Sequence, residues 1–133
     1  MLLYVSIVTN MKIEHAALYV TDLEAARNFF IKYFGAIAGE KYHNAATGFT
    51  SYFLSFGEGV RLEIMNRPGL PDSPQISLGY SHIAFSVGGK DCVDTLAERL
   101  ATDGFKVCPP RITGDGYYKA VVMFDGSAIE ITK

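Results

Sequence analysis

The chain has 133 residues, 49% of them apolar, with 12 basic and 14 acidic side chains and a formal charge of −2. That length suits one domain able to bury roughly two-thirds of the surface its unfolded chain exposes, and the dispersed charges include no basic run that could track phosphates, so nucleic acid is not expected as a partner. Two cysteines, Cys92 and Cys108, are too few for a disulfide framework and lack C-x-x-C spacing, and both read as buried, inert thiols in a reducing cytoplasm.

In chain order, M1-L-L-Y-V-S-I-V8 is apolar but too short to span a membrane, and it has neither a basic flank nor a small-residue cleavage pattern. Residues 1–10 are taken as an N-terminal extension, with an added edge strand as the alternative, and residues 11–133 as a single domain. Residues 12–20 read as a strand. T21-D-L-E24 has the form of a capping box, and Leu23, Ala26, Phe29, Phe30 and Tyr33 form a helical stripe that stops at Gly35. Three strands follow near 36–43, 50–57 and 60–66, and His43 lies near a turn as a surface residue. The order then repeats: a strand over 80–87, a helix from about Asp91 to Asp103 with Val93, Leu96, Ala97 and Leu100 inward and Gly104 ending it, and strands near 105–108, 117–124 and 127–132. Asp125-Gly126 is a hairpin-type turn signal. R111-I-T-G-D-G-Y-Y118 reads as a loop and the first candidate for a lid. The expectation is an α+β fold of two βαβββ modules, about 12–66 and 80–133, whose curved mixed sheets enclose a central cup with the helices outside.

The two modules share a step. His15 and His82 are 67 positions apart, as are Glu63 and Glu130, and each pair sits in matching phrases: E14-H-A-A-L-Y-V20 with S81-H-I-A-F-S-V87, and G59-V-R-L-E-I-M65 with G126-S-A-I-E-I-T132. The turns F56-G-E-G59 and M123-F-D-G126 align at that step too. Strand alternation places Ala16, Leu18, Val20, Leu62 and Ile64, with their counterparts Ile83, Phe85, Val87, Ile129 and Ile131, on the helix-covered face. His15, Glu63, His82 and Glu130 then share the opposite, concave face, with Tyr19, Phe53, Arg61, Met65, Ser86 and Tyr118 as candidate walls and Arg67 and Arg111 nearby for an anionic or carbonyl-bearing substrate. A carboxylate flanked by apolar neighbours, as in L62-E-I64 and I129-E-I131, needs a partner or takes up a proton, and two imidazoles with two carboxylates form the donor set of a mixed nitrogen and oxygen divalent metal site. The single histidine or glutamate in a strand is by default structural, and duplication copies a core solution as readily as a site.

From Met11 onward, through I13-E-H-A-A-L-Y-V-T-D22, V60-R-L-E-I-M65, Y80-S-H-I-A-F-S-V87 and F124-D-G-S-A-I-E-I131, the sequence resembles the glyoxalase, bleomycin-resistance and extradiol-dioxygenase superfamily, the vicinal oxygen chelates. That resemblance implies paired βαβββ modules. Its ligand order of His, Glu, His, Glu resembles glyoxalase I, which implies a lyase or isomerase acting through an enediolate, with Glu130 as base, Glu63 as its partner and His15 and His82 as fixed ligands of nickel, zinc or cobalt. Bacterial glyoxalase I carries an arginine where Tyr19 stands, an asparagine where Arg67 stands, and D-P-D-G where this chain has F-D-G, so the resemblance does not extend to glutathione recognition. Alternatives of other classes are an epimerase or ring-cleaving dioxygenase, and a metal-free protein that sequesters a drug-like molecule. The apolar content and small size favour a homodimer, with the site formed within one chain or across the dimer.

Overall fold

A computed structural model describes residues 11–72 and 76–133; the expected extension at residues 1–10 lies outside the described residues. The chain divides into two compact units, Met1–Gly69 and Leu70–Lys133, with the division in the segment between the two sequence modules. The described residues form two helices and nine strands in two mixed, open sheets of an α+β fold.

In the first unit, β1 (His15–Tyr19) leads into α1 (Leu23–Phe34), followed by β2 (Ile37–Ala38), β3 (Tyr42–Asn44), β4 (Phe49–Ser55) and β5 (Arg61–Asn66). Strand order is β1-β5-β4-β2, with β1 parallel to β5 and the rest antiparallel. The single strand expected near 36–43 is two short ones, β2 and β3, which pair with successive stretches of β4. The helix begins one residue later than the capping box implied. Asp22 is the cap, its carboxylate accepting from the Ala25 N–H at 3.0 Å. Glu24 is thereby released to take the Tyr52 hydroxyl of β4 at 3.0 Å and the Lys41 ammonium at 3.1 Å. At the other end Gly35 adopts the left-handed conformation expected of it, and the Ala36 N–H closes on the Phe30 carbonyl.

The α1 stripe packs on β4 and β5, burying Leu23, Ala26, Phe29, Phe30 and Tyr33 against Leu54, Leu62 and Ile64. Because the helix covers the two inner strands, the edge strand β1 is only partly protected. Val20 is buried, Leu18 half-buried and Ala16 exposed, so the helix-covered face narrows toward β1.

The second unit runs β6 (His82–Ser86), α2 (Lys90–Thr102), β7 (Lys106–Ile112), β8 (Tyr118–Phe124) and β9 (Ser127–Thr132), in the order β6-β9-β8-β7 with β6 parallel to β9. Val93, Ala97 and Leu100 of α2 meet Ala120, Val122, Ile129 and Ile131, while Leu96 is half-buried beside them. Asp125 and Gly126 both have positive φ, 52° and 77°, and close a two-residue hairpin between Phe124 and Ser127.

Three expectations change here. The turn alignment of the two modules is off by one residue: β5 and β9 match at a step of 67, yet Leu54 pairs Leu62 where Val122 pairs Ile129, so β4 and β8 match at 68. The first hairpin is one residue longer, with Gly57 and Gly59 both at positive φ, than the tight Asp125-Gly126 turn. Secondly, residues 111–118 form no open lid. β7 continues to Ile112 through a bulge at Pro109-Pro110, and residues 113–117 form a turn closed by the Thr113 N–H to the Tyr117 carbonyl, 2.9 Å, and by the Thr113 hydroxyl to Asp115. Finally, both cysteines are exposed rather than buried, Cys92 on the outer side of the first turn of α2 and Cys108 on the edge strand β7.

Candidate functional site

Parallel pairing of β1 with β5 sets His15 opposite Arg61, Ala17 opposite Glu63 and Tyr19 opposite Met65, and β4 adds Phe53 across from Glu63. All of these side chains leave the sheet on the face away from α1. His15 Nε2 lies 3.9 Å from Glu63 Oε1, with the imidazole 41% and the carboxylate 17% exposed. The second unit repeats the arrangement more tightly. His82 Nε2 is 3.1 Å from Glu130 Oε2, the two side chains being 38% and 16% exposed. In each unit a mostly buried carboxylate therefore faces the outer nitrogen of an accessible imidazole.

The inner nitrogens are occupied as well. His15 Nδ1 lies 3.0 Å from the Glu14 carboxylate and His82 Nδ1 lies 3.0 Å from the Ser81 hydroxyl, so the residue before each histidine orients its ring. With Glu14 ionised, His15 donates from Nδ1, and a carboxylate placed behind an imidazole in this way strengthens it as a metal ligand. Glu14 is itself gripped by Arg61, at 2.6 Å from Nη2 and 3.2 Å from Nε. Arg61, and after it His15, hold the Glu14 carboxyl below the ordinary carboxylate range. Arg61 also lies 4.1 Å over the Phe53 ring, whose edge meets His15 at a centroid distance of 5.2 Å. Phe53 and Arg61 thus form a stacked wall beside His15.

Tyr19 is 44% exposed with the Arg67 guanidinium 5.8 Å from its ring, and Met65 lies half-buried in the next row. Arg111 pairs with Lys119 across β7 and β8 on the Glu130 face, and Ser86 lies exposed at the end of β6. Tyr118 is not a wall residue. It pairs with Ile112 on the face toward α2, where its hydroxyl donates to Asp94. His43, as expected, is exposed; it pairs with Thr50 of β4, outside the strands that carry the other two histidines. Sequence reasoning missed Lys119, whose ammonium lies 3.2 Å from Glu130 Oε1 and 3.8 Å from Asp115 Oδ2. The signal was its strand parity with Glu130. Glu14 and Ser81 were also signalled, since they keep the same step as the histidines they orient.

Among the described residues no three His, Cys, Asp or Glu side chains gather as a metal cluster; the donors come in pairs, one pair per unit. Each pair fits half of a divalent metal's ligand set, with one imidazole nitrogen, one carboxylate and an orienting residue behind the imidazole.

The chain matches the family model of the Glyoxalase/Bleomycin resistance protein/Dioxygenase superfamily over residues 12–131, and it belongs to that superfamily. It is 29% identical over 126 residues to the uncharacterized protein YqjT of Bacillus subtilis, covering 88% of this chain and 93% of that one. Among solved structures, a possible glyoxalase from Bacillus cereus is 31% identical with a TM-score of 0.71, over 92% of this chain and 99% of the other. Glyoxalase I from Zea mays is 26% identical with a TM-score of 0.75, over 91% of this chain and 44% of that longer one. No helix among the described residues is long and apolar enough to cross a membrane.

Proposed function

We propose that the protein is a glyoxalase I-like, metal-dependent lyase or isomerase acting on a small carbonyl compound or thiol adduct. The observation that carries this reading is the repeated pair: in each unit a histidine Nε2 faces a largely buried glutamate, with its Nδ1 held by the preceding residue. His15 and Glu63 from one unit, and His82 and Glu130 from the other, are the ligands we assign to nickel, zinc or cobalt. When bound, a divalent ion polarises the substrate carbonyl and stabilises the negative charge that develops on its oxygen. Glu130 takes the proton from the adjacent carbon and returns it to the neighbouring one, with Glu63 as its counterpart from the first unit. Phe53 and Met65 supply apolar wall, Arg61 braces Glu14 and Phe53, and Tyr19, Arg67 and Arg111 face the substrate's polar end. Free thiols at Cys92 and Cys108 suit a reducing cytoplasm, and we take the working form as a homodimer.

Metal analysis of protein purified without chelator tests the assignment: about one equivalent per site is expected, and its absence after reloading refutes it. Glu130→Gln is expected to retain metal while losing exchange of the substrate's carbon-bound proton with solvent; unchanged exchange removes Glu130 as the base. A second reading, a metal-free cup for a drug-like molecule, is favoured by one contact, the Lys119 ammonium that already satisfies Glu130 at 3.2 Å. The same metal analysis separates the two.

A further inference from the structure

The second unit carries a pair of cations that the ligand assignment leaves unexplained. Arg111 and Lys119 stand directly opposite each other on antiparallel strands, a placement in which like charges destabilise the pairing. What brings them together is the β-bulge in β7. Cys108 pairs with Val121 and Arg111 with Lys119, so Pro109 and Pro110 occupy the space of one residue, and both Cys108 and Arg111 emerge on the Glu130 face. A regular strand would set Pro110 opposite Lys119 and turn Arg111 to the other side. Bulges recur beside functional sites because they re-aim a side chain in this way.

The two cations differ in what they already hold. Lys119, 16% exposed, has Glu130 at 3.2 Å and Asp115 at 3.8 Å. Arg111 donates to the Cys108 sulfur at 2.9 Å, and among the described residues no carboxylate pairs with it. A planar guanidinium with only a thiol partner keeps its carboxylate-matching fork free. If Glu130 is committed to a metal, as proposed above, its charge is shared and Lys119 also turns to another anion.

We infer that Arg111 and Lys119, brought opposite each other by the Pro109-Pro110 bulge, form a cradle for a carboxylate or similar anionic group on the substrate, next to its metal-chelating end. The inference rests on the metal reading and narrows the substrate to an anionic carbonyl compound. It needs no change in Tyr19 or Arg67, because the charge is read within the second unit.

The test uses the metal-loaded protein and two probes that chelate through the same hydroxamate, glutaric acid monohydroxamate and its methyl ester, titrated by calorimetry. The free acid is expected to bind about tenfold or more tightly than the ester, as a charge-assisted bidentate contact would give. Arg111→Gln should bring the two within about threefold, and Lys119→Met should lower the preference as well, while metal content stays at the wild-type value in Arg111→Gln. Equal binding of acid and ester by wild-type protein, or an undiminished preference in Arg111→Gln, overturns the cradle while leaving the metal site standing. Failure of both probes to bind, with no metal retained, overturns the metal reading and the cradle with it.

Discussion

Replacing Glu14 by Gln probes whether the residue behind a proposed ligand histidine, His15, has a role in this site. Glu14 is exposed, and its carboxylate is shared between His15 Nδ1 at 3.0 Å and the Arg61 fork at 2.6 and 3.2 Å. Removing such an orienting partner typically lowers metal affinity by roughly 10- to 100-fold. Here the lower end applies, because solvent screens the carboxylate and Arg61 already draws on much of its charge. Glu14→Gln is therefore expected to weaken metal binding about tenfold. Ser81→Ala, which removes a neutral partner of His82, should cost less. The assay is competition against a chelator of known affinity at fixed pH and at two salt concentrations, and the Glu14 effect should shrink at the higher one. Affinity within about twofold of wild type in Glu14→Gln, or a larger loss in Ser81→Ala, refutes the argument that the carboxylate tunes His15.

Two further outcomes follow from packing and charge. Phe30, fully buried and edge-on to Phe29 at 5.2 Å, is the central side chain under α1, so Phe30→Ala should cost about 3–5 kcal/mol in urea unfolding; a loss below about 1 kcal/mol would mean that α1 is not anchored there. Asp94 joins α2 to β8, and the Tyr118 hydroxyl, followed by Lys90, holds its carboxyl below the ordinary value of 3.8. A depressed carboxyl contributes stability that is present above its unfolded pKa and lost as pH falls through the folded one. Wild-type protein should therefore lose thermal stability below about pH 4 more steeply than Asp94→Asn, and parallel curves down to pH 2 would count against this link.

Much of the face that carries the histidines and glutamates was legible because its strands alternate cleanly. L62-E-I64 and I129-E-I131 each place one carboxylate between two apolar residues that the structure buries, so parity alone assigns the glutamates to the face away from the helices. Parity was ambiguous where two similar residues adjoin. Thr21 and Asp22 can both cap a helix, and only tertiary contacts show Asp22 doing so while Glu24 serves Tyr52 and Lys41. Tyr117 and Tyr118 adjoin at the start of the strand expected over 117–124, and a one-residue shift of the alternation separates the glutamate face from the face on which Tyr118 is found, against Asp94. The run R111-I-T-G-D-G-Y-Y118, rich in glycine and polar residues, reads as a loop, yet the pairing of Ile112 with Tyr118 makes most of it a hairpin.

The shared step of 67 held for the four proposed ligands, and its failure elsewhere accounts for how the two halves differ. Because β4 and β8 match at 68, the residue of the first unit that corresponds to Lys119 is Ser51, which pairs with Met65 as Lys119 pairs with Thr132. Ser51 is buried and neutral, whereas Lys119 brings a charge against Glu130. By the same shift the counterpart of Phe53, the aromatic wall against His15 and Arg61, is Val121. One unit thus offers its glutamate an aromatic and clamped arginine neighbourhood, and the other a lysine and a re-aimed arginine. The two equivalent carboxylates therefore face different charges, Glu130 with the Lys119 ammonium at 3.2 Å and Glu63 with the His15 imidazole at 3.9 Å. The proposed division of roles between Glu130 and Glu63 is therefore to be probed at Lys119, where the duplication no longer keeps its step.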